Sequence, residues 1–447
     1  MENHAVIRDL GEGLVLRSAT IADADALAKF NSEIHGNQET KQPDERVGAW
    51  TRDLLAVPHP TFKPGDFTIV EDTRTGKVVS SLNLIAQSWS YAGISFPVGR
   101  PELVGTDPEY RNRGLIRAQF EVIHQWSAAR GHKLQAITGI PYYYRLFGYE
   151  MALDLDGGRA GYAVHVPKLK EGEEESYNFR PAQQADWKFV ADLYQHASQR
   201  YLVQCQRDER LWKYELSGKS ANNVNRRAFW IIETLAGEPV GYVGTPSFAW
   251  GEMMVAQAYE ILPGFSWGEI TPAVIRFLVM IGQEHLDKEG KGVQLGAFGF
   301  WLGLDHPVYQ VARDRLPRVR TPYAWYLRIT DLPDFLRLLS PVLEERLSRS
   351  LLVGYSGEMK ITFYRDGLRM VFEKGKLNTV EPWRPEPEGY SGNAAFPGLT
   401  FLQLLFGFRS LEELRFAFPD CWVNGDQNRC LLEALFPKHL SVVWPVD

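Results

Sequence analysis

Residues 103–149, LVGTDPEYRNRGLIRAQFEVIHQWSAARGHKLQAITGIPYYYRLFGY, decide the fold of this chain. An apolar strand enters a Pro-containing turn, and apolar residues at helical spacing then predict a helix from about Gly114 to Arg130. Gly131 is typical of the residue that ends a helix. A short strand at 134–137 and an aromatic run follow. The order along the chain is thus strand, glycine turn, helix, strand and aromatic loop.

The start of the predicted helix is a candidate phosphate site. The first N–H groups of a helix have no intrahelical partner and lie at the positive end of its dipole. Gly114 allows close approach to the backbone, and Arg111, Arg113 and Arg117 supply guanidinium groups that bind phosphate. No Gly-Lys-Ser/Thr follows, as a Walker loop requires, and the three-glycine spacing of a dinucleotide fingerprint is absent. By itself, such a turn is also typical of a solvated loop.

Two motifs in this stretch resemble those of the GCN5-related N-acetyltransferases (GNAT). The sequence Arg111-Asn112-Arg113-Gly114-Leu115-Ile116 is similar to the cofactor motif Arg/Gln-x-x-Gly-x-Gly/Ala, with Ile116 in place of the final small residue. Residues 144–149 are similar to the later Tyr-x-x-x-Gly-Phe signature. The motifs occur in the family's order on the expected elements. The resemblance implies an acetyltransferase fold and acetyl-coenzyme A as co-substrate.

The resemblance also assigns roles to residues. Gly105 would lie at or near a bulge where the strand leaves its neighbour. Tyr144 would be the general acid, because its phenol is protonated at pH 7 and its spacing to Gly148 matches the signature. The predicted cofactor-binding residues are Val104, Gly105, Thr106, Arg111, Asn112, Arg113, Gly114, Leu115, Ile116 and Arg117.

The composition is that of an ordinary globular protein. The 447 residues suggest about three domains. A net charge of −6 argues against general nucleic-acid binding, because no basic excess exists to displace counterions, and it is compatible with a cationic substrate. The N-terminus lacks a signal pattern, and no apolar run approaches the ~18 residues that span a bilayer. Scattered Cys205, Cys421 and Cys430 lack metal-ligand spacing, so we expect a cytoplasmic protein without metal or membrane.

A weak internal repeat indicates that the acetyltransferase unit occurs twice. The pattern at 16–23 returns at 179–186, and a predicted hairpin at 67–82 has a counterpart at 229–243. The second unit lacks arginine at 263–269 and has Glu269 where phosphate would bind. We therefore predict a catalytic domain at 1–165 and a degenerate copy at 176–330.

The remaining residues, 331–447, have a different character. They predict a helix at 332–347 interrupted at Ser340-Pro341, a hairpin around 365–367, and helices at 401–408 and 410–416. This region resembles a sterol-carrier-protein-like domain. The order of the three parts resembles the enhanced-intracellular-survival (Eis) type of acetyltransferase. The fold class is thus mixed α+β and α/β: two tandem GNAT folds and an α+β C-terminal domain. The resemblance also suggests a homo-oligomer, such as a hexamer.

The sequence alone leaves several candidates for the general base. In Eis-type enzymes the general base is thought to be the terminal carboxylate. At that position Asp447 would offer two carboxylates. It differs from the aromatic residue at which the Eis-type chains end. A frayed tail is the alternative. Glu33 and His35 are other candidate bases or substrate contacts, or solvated surface groups. With Trp50 and Phe62, the acidic residues could form a cleft for a cationic acceptor.

The sequence therefore predicts an N-acetyltransferase that moves an acetyl group to a primary amine in a ternary complex. Aminoglycosides, polyamines and lysine side chains are the acceptors that the resemblance suggests. One alternative is a lipid- or small-ligand-binding protein that uses the C-terminal domain, with the GNAT copies as scaffold. Another is a regulatory subunit that binds the cofactor without turnover. The retained Arg111-x-x-Gly114 and Tyr144 argue against the first alternative.

Overall fold

A computed structural model describes residues 6–37, 39–56, 58–290, 292–386 and 391–447. Over these residues, its first part combines a mostly antiparallel sheet with three helices. The strands are β1 (Val6–Gly11), β2 (Leu14–Ser18), β3 (Phe67–Asp72), β4 (Lys77–Tyr91), β5 (Ile94–Thr106), β6 (Leu134–Ile137), β7 (Glu150–Leu155) and β8 (Gly158–Tyr162). The helices are α1 (Ala24–Ile34), α2 (Glu45–Ala56) and α3 (Leu115–Ala129).

The predicted helix and strand around the phosphate motif are confirmed as α3 and β6. Gly114 precedes α3 in a left-handed conformation with φ of 74°, and Gly131 follows the helix with φ of 70°. The buried face of α3 includes Phe120, Val122 and Ile123. Burial of this apolar face against the sheet, rather than local propensity, holds the helix in place.

The middle of the chain has strands and helices in a similar order. Its strands are β9 (Tyr177–Pro181), β10 (Val203–Gln206), β11 (Arg227–Thr234), β12 (Pro239–Pro246), β13 (Met253–Ala256), β14 (Ala258–Ile261), β15 (Ala297–Phe300), β16 (Arg318–Arg320) and β17 (Tyr323–Ile329). Its helices are α4 (Trp187–Ser198), α5 (Glu209–Lys213), α6 (Trp267–Lys288) and α7 (Val308–Val311). The hairpins predicted in both copies are present as β3–β4 and β11–β12.

Three strands of the described residues cross between the first and middle parts, and one of them, β10, pairs with β4 at 88–91. The largest sheet has the order β1-β2-β3-β4-β5-β6-β17-β7, so β17 of the middle part lies between two strands of the first part. In return, β8 lies between β15 and β16 in a separate sheet. The predicted boundaries near residues 165, 176 and 330 stay predictions, and the sheets cross them.

In its described residues, the last part contains a five-stranded sheet, in the order β20-β19-β18-β21-β22, and five helices. Its elements are α8 (Leu332–Leu338), α9 (Ser340–Ser348), β18 (Gly357–Thr362), β19 (Gly367–Glu373), β20 (Lys376–Trp383), β21 (Ala394–Ala395), α10 (Phe401–Leu405), α11 (Leu411–Ala417), β22 (Trp422–Val423) and α12 (Asp426–Leu435). The interruption predicted near Ser340 and the hairpin around 365–367 are confirmed. Its apolar core is continuous with that of the first part, so the two pack as one body.

Candidate active site

The site begins where β5 and β6 separate. The two strands pair in parallel only at Val98–Leu134 and Gly99–Gln135. Beyond Gly99, the edge of β5 that faces β6 has no strand partner among the described residues. The strands therefore diverge and open a cleft in the middle of the sheet.

A bulge in β5 shapes this opening. Ser81 pairs with Gly105 and Asn83 with Glu102, which leaves two residues of β5 opposite one of β4. Leu103 carries the positive φ of 50°, an unusual value for a residue with a side chain. The sequence predicts Gly105 at or near this bulge, and in the structure Gly105 also allows β5 to approach α1. A Cβ at Gly105 would lie 2.7 Å from Ile34 Cγ2, so glycine is needed for close packing on α1.

The resulting cleft has a volume of about 1070 Å³. It brings together most of the residues predicted to bind the cofactor with Tyr144. Its lining comprises Ile34, His35, Glu102, Leu103, Val104, Gly105, Thr106, Tyr110, Arg111, Asn112, Gly114, Leu115, Ile116, Arg117, Thr138, Gly139, Ile140, Tyr143, Tyr144, Leu146 and Phe147.

The tip of α3 forms one wall of the cleft. Asn112 and Gly114 both have left-handed backbone conformations, with φ of 62° and 74°. A Cβ added at Gly114 would meet no atom within 4 Å, so the first amides of α3 are open to a ligand. Tyr110 donates to the buried Asp72 at 2.8 Å, which fixes the loop before the helix. This arrangement is suited to binding an anion.

Arg113 differs from its neighbours in the motif. Its side chain lies outside the lining of the cleft, 3.4 Å from Glu12 and over the ring of Tyr110. Arg111 and Arg117 do line the cleft. The sequence could not distinguish the three arginines, because all stand within seven residues on a loop and a first helical turn.

Tyr144 also lines the cleft and is only 3% exposed. Its ring packs edge-on against Tyr326 at 5.5 Å between centroids, and Tyr326 belongs to the exchanged strand β17. The Tyr326 hydroxyl accepts from the Tyr142 backbone N–H at 2.6 Å. Burial, assisted by the charge of Glu102, raises the pKa of Tyr144 well above its usual value. The phenol is therefore protonated at neutral pH.

Glu102 is the one carboxylate among the described residues that line the cleft, and sequence reasoning missed it. It accepts from Arg100 Nη2 at 2.7 Å and from the Leu103 amide at 3.3 Å. Burial raises its pKa, while the charge of Arg100 opposes the shift. The available signal was an acid that follows Arg100 at the strand spacing of two and stands just before the predicted bulge.

Asp447 lies near this carboxylate but outside the lining of the cleft. Its side-chain Oδ1 accepts from Arg100 Nη1, and its backbone oxygen is 3.2 Å from His59 Nε2. The Thr61 amide donates to His59 Nδ1, so Nε2 carries the ring proton and donates to Asp447. Asp447 is thus held in place, contrary to the frayed alternative.

The predicted substrate contacts are not brought together. His35 lines the cleft, whereas the Glu33 side chain is 57% exposed and lies 4.0 Å from Lys29. Trp50 and Phe62 are 6% and 4% exposed and belong to the apolar core. They lie outside the lining of the cleft, because the Trp50 side chain of α2 is buried in the core and Phe62 packs on Phe67 of β3.

The middle part of the chain has a corresponding but closed opening. Between β14 and β15 a cavity of about 70 Å³ remains, lined in part by Tyr259, Glu260 and His306. Trp267, in the first turn of α6, packs on Tyr259 at 4.9 Å and on His306 at 5.2 Å. Ser266 caps α6 with its own side chain. The helix tip and the opening are both filled by the protein itself.

The cleft, the helix tip and the tyrosine all lie within, or next to, the part of the chain that matches a known family. Residues 16–152 match the family model of the acetyltransferase (GNAT) domain. The chain contains a GNAT domain. This GNAT domain includes β5, α3, β6 and Tyr144, while the rest of the chain lies outside the match.

Solved structures share the fold over nearly the whole chain. A GCN5-related N-acetyltransferase from Kribbella flavida has a TM-score of 0.63 at 16% identity, covering 96% of this chain and 97% of that one. A probable N-acyltransferase from Enterococcus faecalis V583 has a TM-score of 0.63 at 15% identity, with the same coverage. Eis1 from Mycobacterium abscessus has a TM-score of 0.55 at 13% identity, covering 91% and 98%. No curated protein matches the sequence.

Two further properties hold for the residues that the structure describes. None of their helices combines the length and apolar character needed to cross a membrane. They contain no cluster of side chains that could hold a metal ion.

Proposed function

We propose that the chain is an acetyl-coenzyme A-dependent N-acetyltransferase that acetylates a primary amine in a ternary complex. The observation that carries this proposal is the cleft itself. It places an open helix tip with Arg111 and Arg117, the free edge of β5, and the Tyr144 phenol around one volume of about 1070 Å³. Acetyl-coenzyme A would supply the activated acetyl thioester.

The fit to the co-substrate rests on three surfaces. The open amides at Gly114 and the flanking guanidinium groups suit a pyrophosphate. The free edge of β5 at Val104 and Thr106 offers backbone groups to an extended amide-bearing arm. Tyr144 lines the same cleft, and the thioester would lie beside its hydroxyl.

Glu102 and Tyr144 have complementary protonation behaviour. An alkyl ammonium with pKa near ~10.4 must lose a proton before attack, which costs about 4–5 kcal/mol at neutral pH. Glu102 is the cleft's carboxylate and its pKa is raised by burial, so it can accept that proton. Tyr144 stays protonated and can donate to the leaving sulfur. Asp447 lies outside the lining of the cleft, whereas Glu102 lies within it, so we assign the base to Glu102 instead.

The acceptor is proposed to be cationic, of the aminoglycoside, polyamine or lysine type. The net charge of −6 and the single carboxylate in the described lining are compatible with an acceptor that presents one ammonium group at a time. The Eis-type assignment, the tandem GNAT interpretation and the sterol-carrier-like domain belong to the same proposal. They are supported by the closed second opening and by the likeness to Eis1 along 91% of the chain.

A thiol-release assay with acetyl-coenzyme A and a panel of amines tests the proposal. We expect turnover with at least one primary amine and a large loss in Tyr144→Phe, with unchanged turnover in Tyr162→Phe, an exposed tyrosine outside the cleft. Failure of every amine, together with lipid in organic extracts of the purified protein, would favour the ligand-binding alternative. Cofactor binding without turnover would favour the regulatory one.

A further inference from the structure

A buried ion pair joins β5 to the segment 442–447. Arg100 Nη1 donates to Asp447 Oδ1 and, at 2.9 Å, to the Val446 carbonyl, while Nη2 binds Glu102 at 2.7 Å. The side chains of Arg100, Glu102 and Asp447 are 6%, 15% and 6% exposed. We propose that Asp447 is a positioning residue for acetyl transfer that, through Arg100, fixes the orientation and the charge state of Glu102. This inference rests on the proposed function.

The segment that carries Asp447 is fixed by contacts with both the first and middle parts of the chain. Arg207 donates to the carbonyls of Trp444 and Pro445 at 2.7 and 2.8 Å, and the Val446 amide donates to Gln87 at 3.3 Å. The Trp444 ring has the guanidinium of Arg207 4.0 Å from its centroid. These contacts place Asp447 in one position relative to β5.

Arg100 divides its hydrogen bonds between two carboxylates. A guanidinium that faces one carboxylate can bind it in a bidentate manner and stabilise its ionised form. Because Asp447 occupies Nη1, Glu102 receives one nitrogen of Arg100 and remains aimed into the cleft. The negative charge of Asp447 also raises the pKa of Glu102. Removal of that charge would leave Glu102 a weaker base.

Other charged and titratable groups face this pair. Glu102 is approached by Arg100 from its own strand, by Asp447, and by Tyr144 across the cleft. Burial disfavours the Asp447 carboxylate, but nearby cations hold its pKa below the usual value. The groups around Asp447 are His59, Arg100, Cys205, Arg207, Tyr214, Glu215, Lys219 and Arg227.

The test compares pH profiles of kcat/KM for variants at position 447. Asp447→Asn removes the charge and keeps the shape, Asp447→Ser is a second neutral variant, and Asp447→Glu restores the charge. Glu433→Gln is the matched control, because it removes an arginine-paired carboxylate that is exposed on α12. Melting temperature and acetyl-coenzyme A affinity are measured for each variant.

We expect the acidic limb of the profile to move down by about one pH unit in both neutral variants, since a nearby charge shifts a carboxyl pKa by about that much. At pH 8, kcat/KM should fall roughly three- to tenfold, because a less basic carboxylate is a poorer general base. In Asp447→Glu the acidic limb should return most of the way to its position in the unmodified chain. In Glu433→Gln it should not move. An unmoved limb in folded, cofactor-binding neutral variants would overturn the inference.

A second measurement needs no turnover. Infrared titration of protein carrying ¹³C-glutamate, with Glu102→Gln subtracted, reports the protonation of Glu102 directly. A lower midpoint in Asp447→Asn supports the inference, and an unchanged midpoint contradicts it. Absence of turnover in the unmodified chain would count against the proposed function alone.

Discussion

Arg100 and Asp447 form a buried ion pair across 347 positions of sequence. Arg100 also forms an ion pair with Glu102, so one buried guanidinium binds two carboxylates. Removal of one partner from a buried ion pair typically costs about 3–5 kcal/mol, because an uncompensated charge remains inside.

We therefore expect Arg100→Ala to lower the free energy of unfolding by about 3–5 kcal/mol in the absence of ligand. Arg429→Ala removes an exposed arginine with two carboxylate neighbours and should change it by about 1 kcal/mol or less. Urea denaturation of both variants measures the difference. A loss for Arg100→Ala no larger than that for Arg429→Ala would show that the buried pair contributes little.

Gly114 and Gly131 provide a matched test of the proposed phosphate site. Both have left-handed φ, and a Cβ at either would meet no atom within 4 Å, but only Gly114 faces the cleft. Alanine should cost about 1 kcal/mol of stability at each position, because of the strained φ. Titration calorimetry should show weaker acetyl-coenzyme A binding, by about tenfold or more, for Gly114→Ala alone. Equal affinities in the two variants would remove the tip of α3 from the binding site.

The volumes of the two openings predict how many co-substrate molecules one chain binds. The first cleft has about 1070 Å³, whereas the second, which His306 lines, has about 70 Å³. We expect one acetyl-coenzyme A per chain in equilibrium dialysis. A stoichiometry of two would mean that the second opening rearranges to admit a ligand.

Two buried histidines predict loss of stability in acid. Burial lowers the pKa of His59 and of His132 from 6.5 to about 4. The unfolded chain binds these protons first, so the stabilisation is present above pH 6.5 and is lost as the pH falls towards 4. Each unit of pKa difference corresponds to about 1.4 kcal/mol, so the free energy of unfolding falls by about 3 kcal/mol for each histidine as the pH reaches 4.

This prediction is checked by denaturation at pH 7.5 and pH 4.5. His132→Gln should reduce the difference between the two pH values, because glutamine does not titrate. His439→Gln, at an exposed position, is the control and should leave the difference unchanged. An equal pH dependence in all three proteins would argue against buried neutral histidine as the cause.

Local patterns in the sequence predicted much of the GNAT domain. The limits of α3 and β6 follow from apolar spacing and from glycines at both ends of the helix, which are properties of a few neighbouring residues. The hairpin β3–β4 and the break before α9 follow from turn residues and proline in the same way.

The missed features are long-range. The exchange of β8 and β17 has no local signal, because a strand pattern does not state which sheet the strand joins. Trp50 and Phe62 were predicted near the substrate, yet an aromatic side chain fits a core as well as a cleft, and both are buried. The pairing of Glu102 with Arg100 and Asp447 required the fold to bring position 447 to β5.

The most direct test is a crystal structure of the chain with coenzyme A. The account predicts the pyrophosphate against the amides at Gly114 to Ile116, between Arg111 and Arg117, with the sulfur within hydrogen-bond distance of the Tyr144 hydroxyl. A pyrophosphate bound elsewhere, or a Tyr144 hydroxyl directed away from the sulfur, would contradict it.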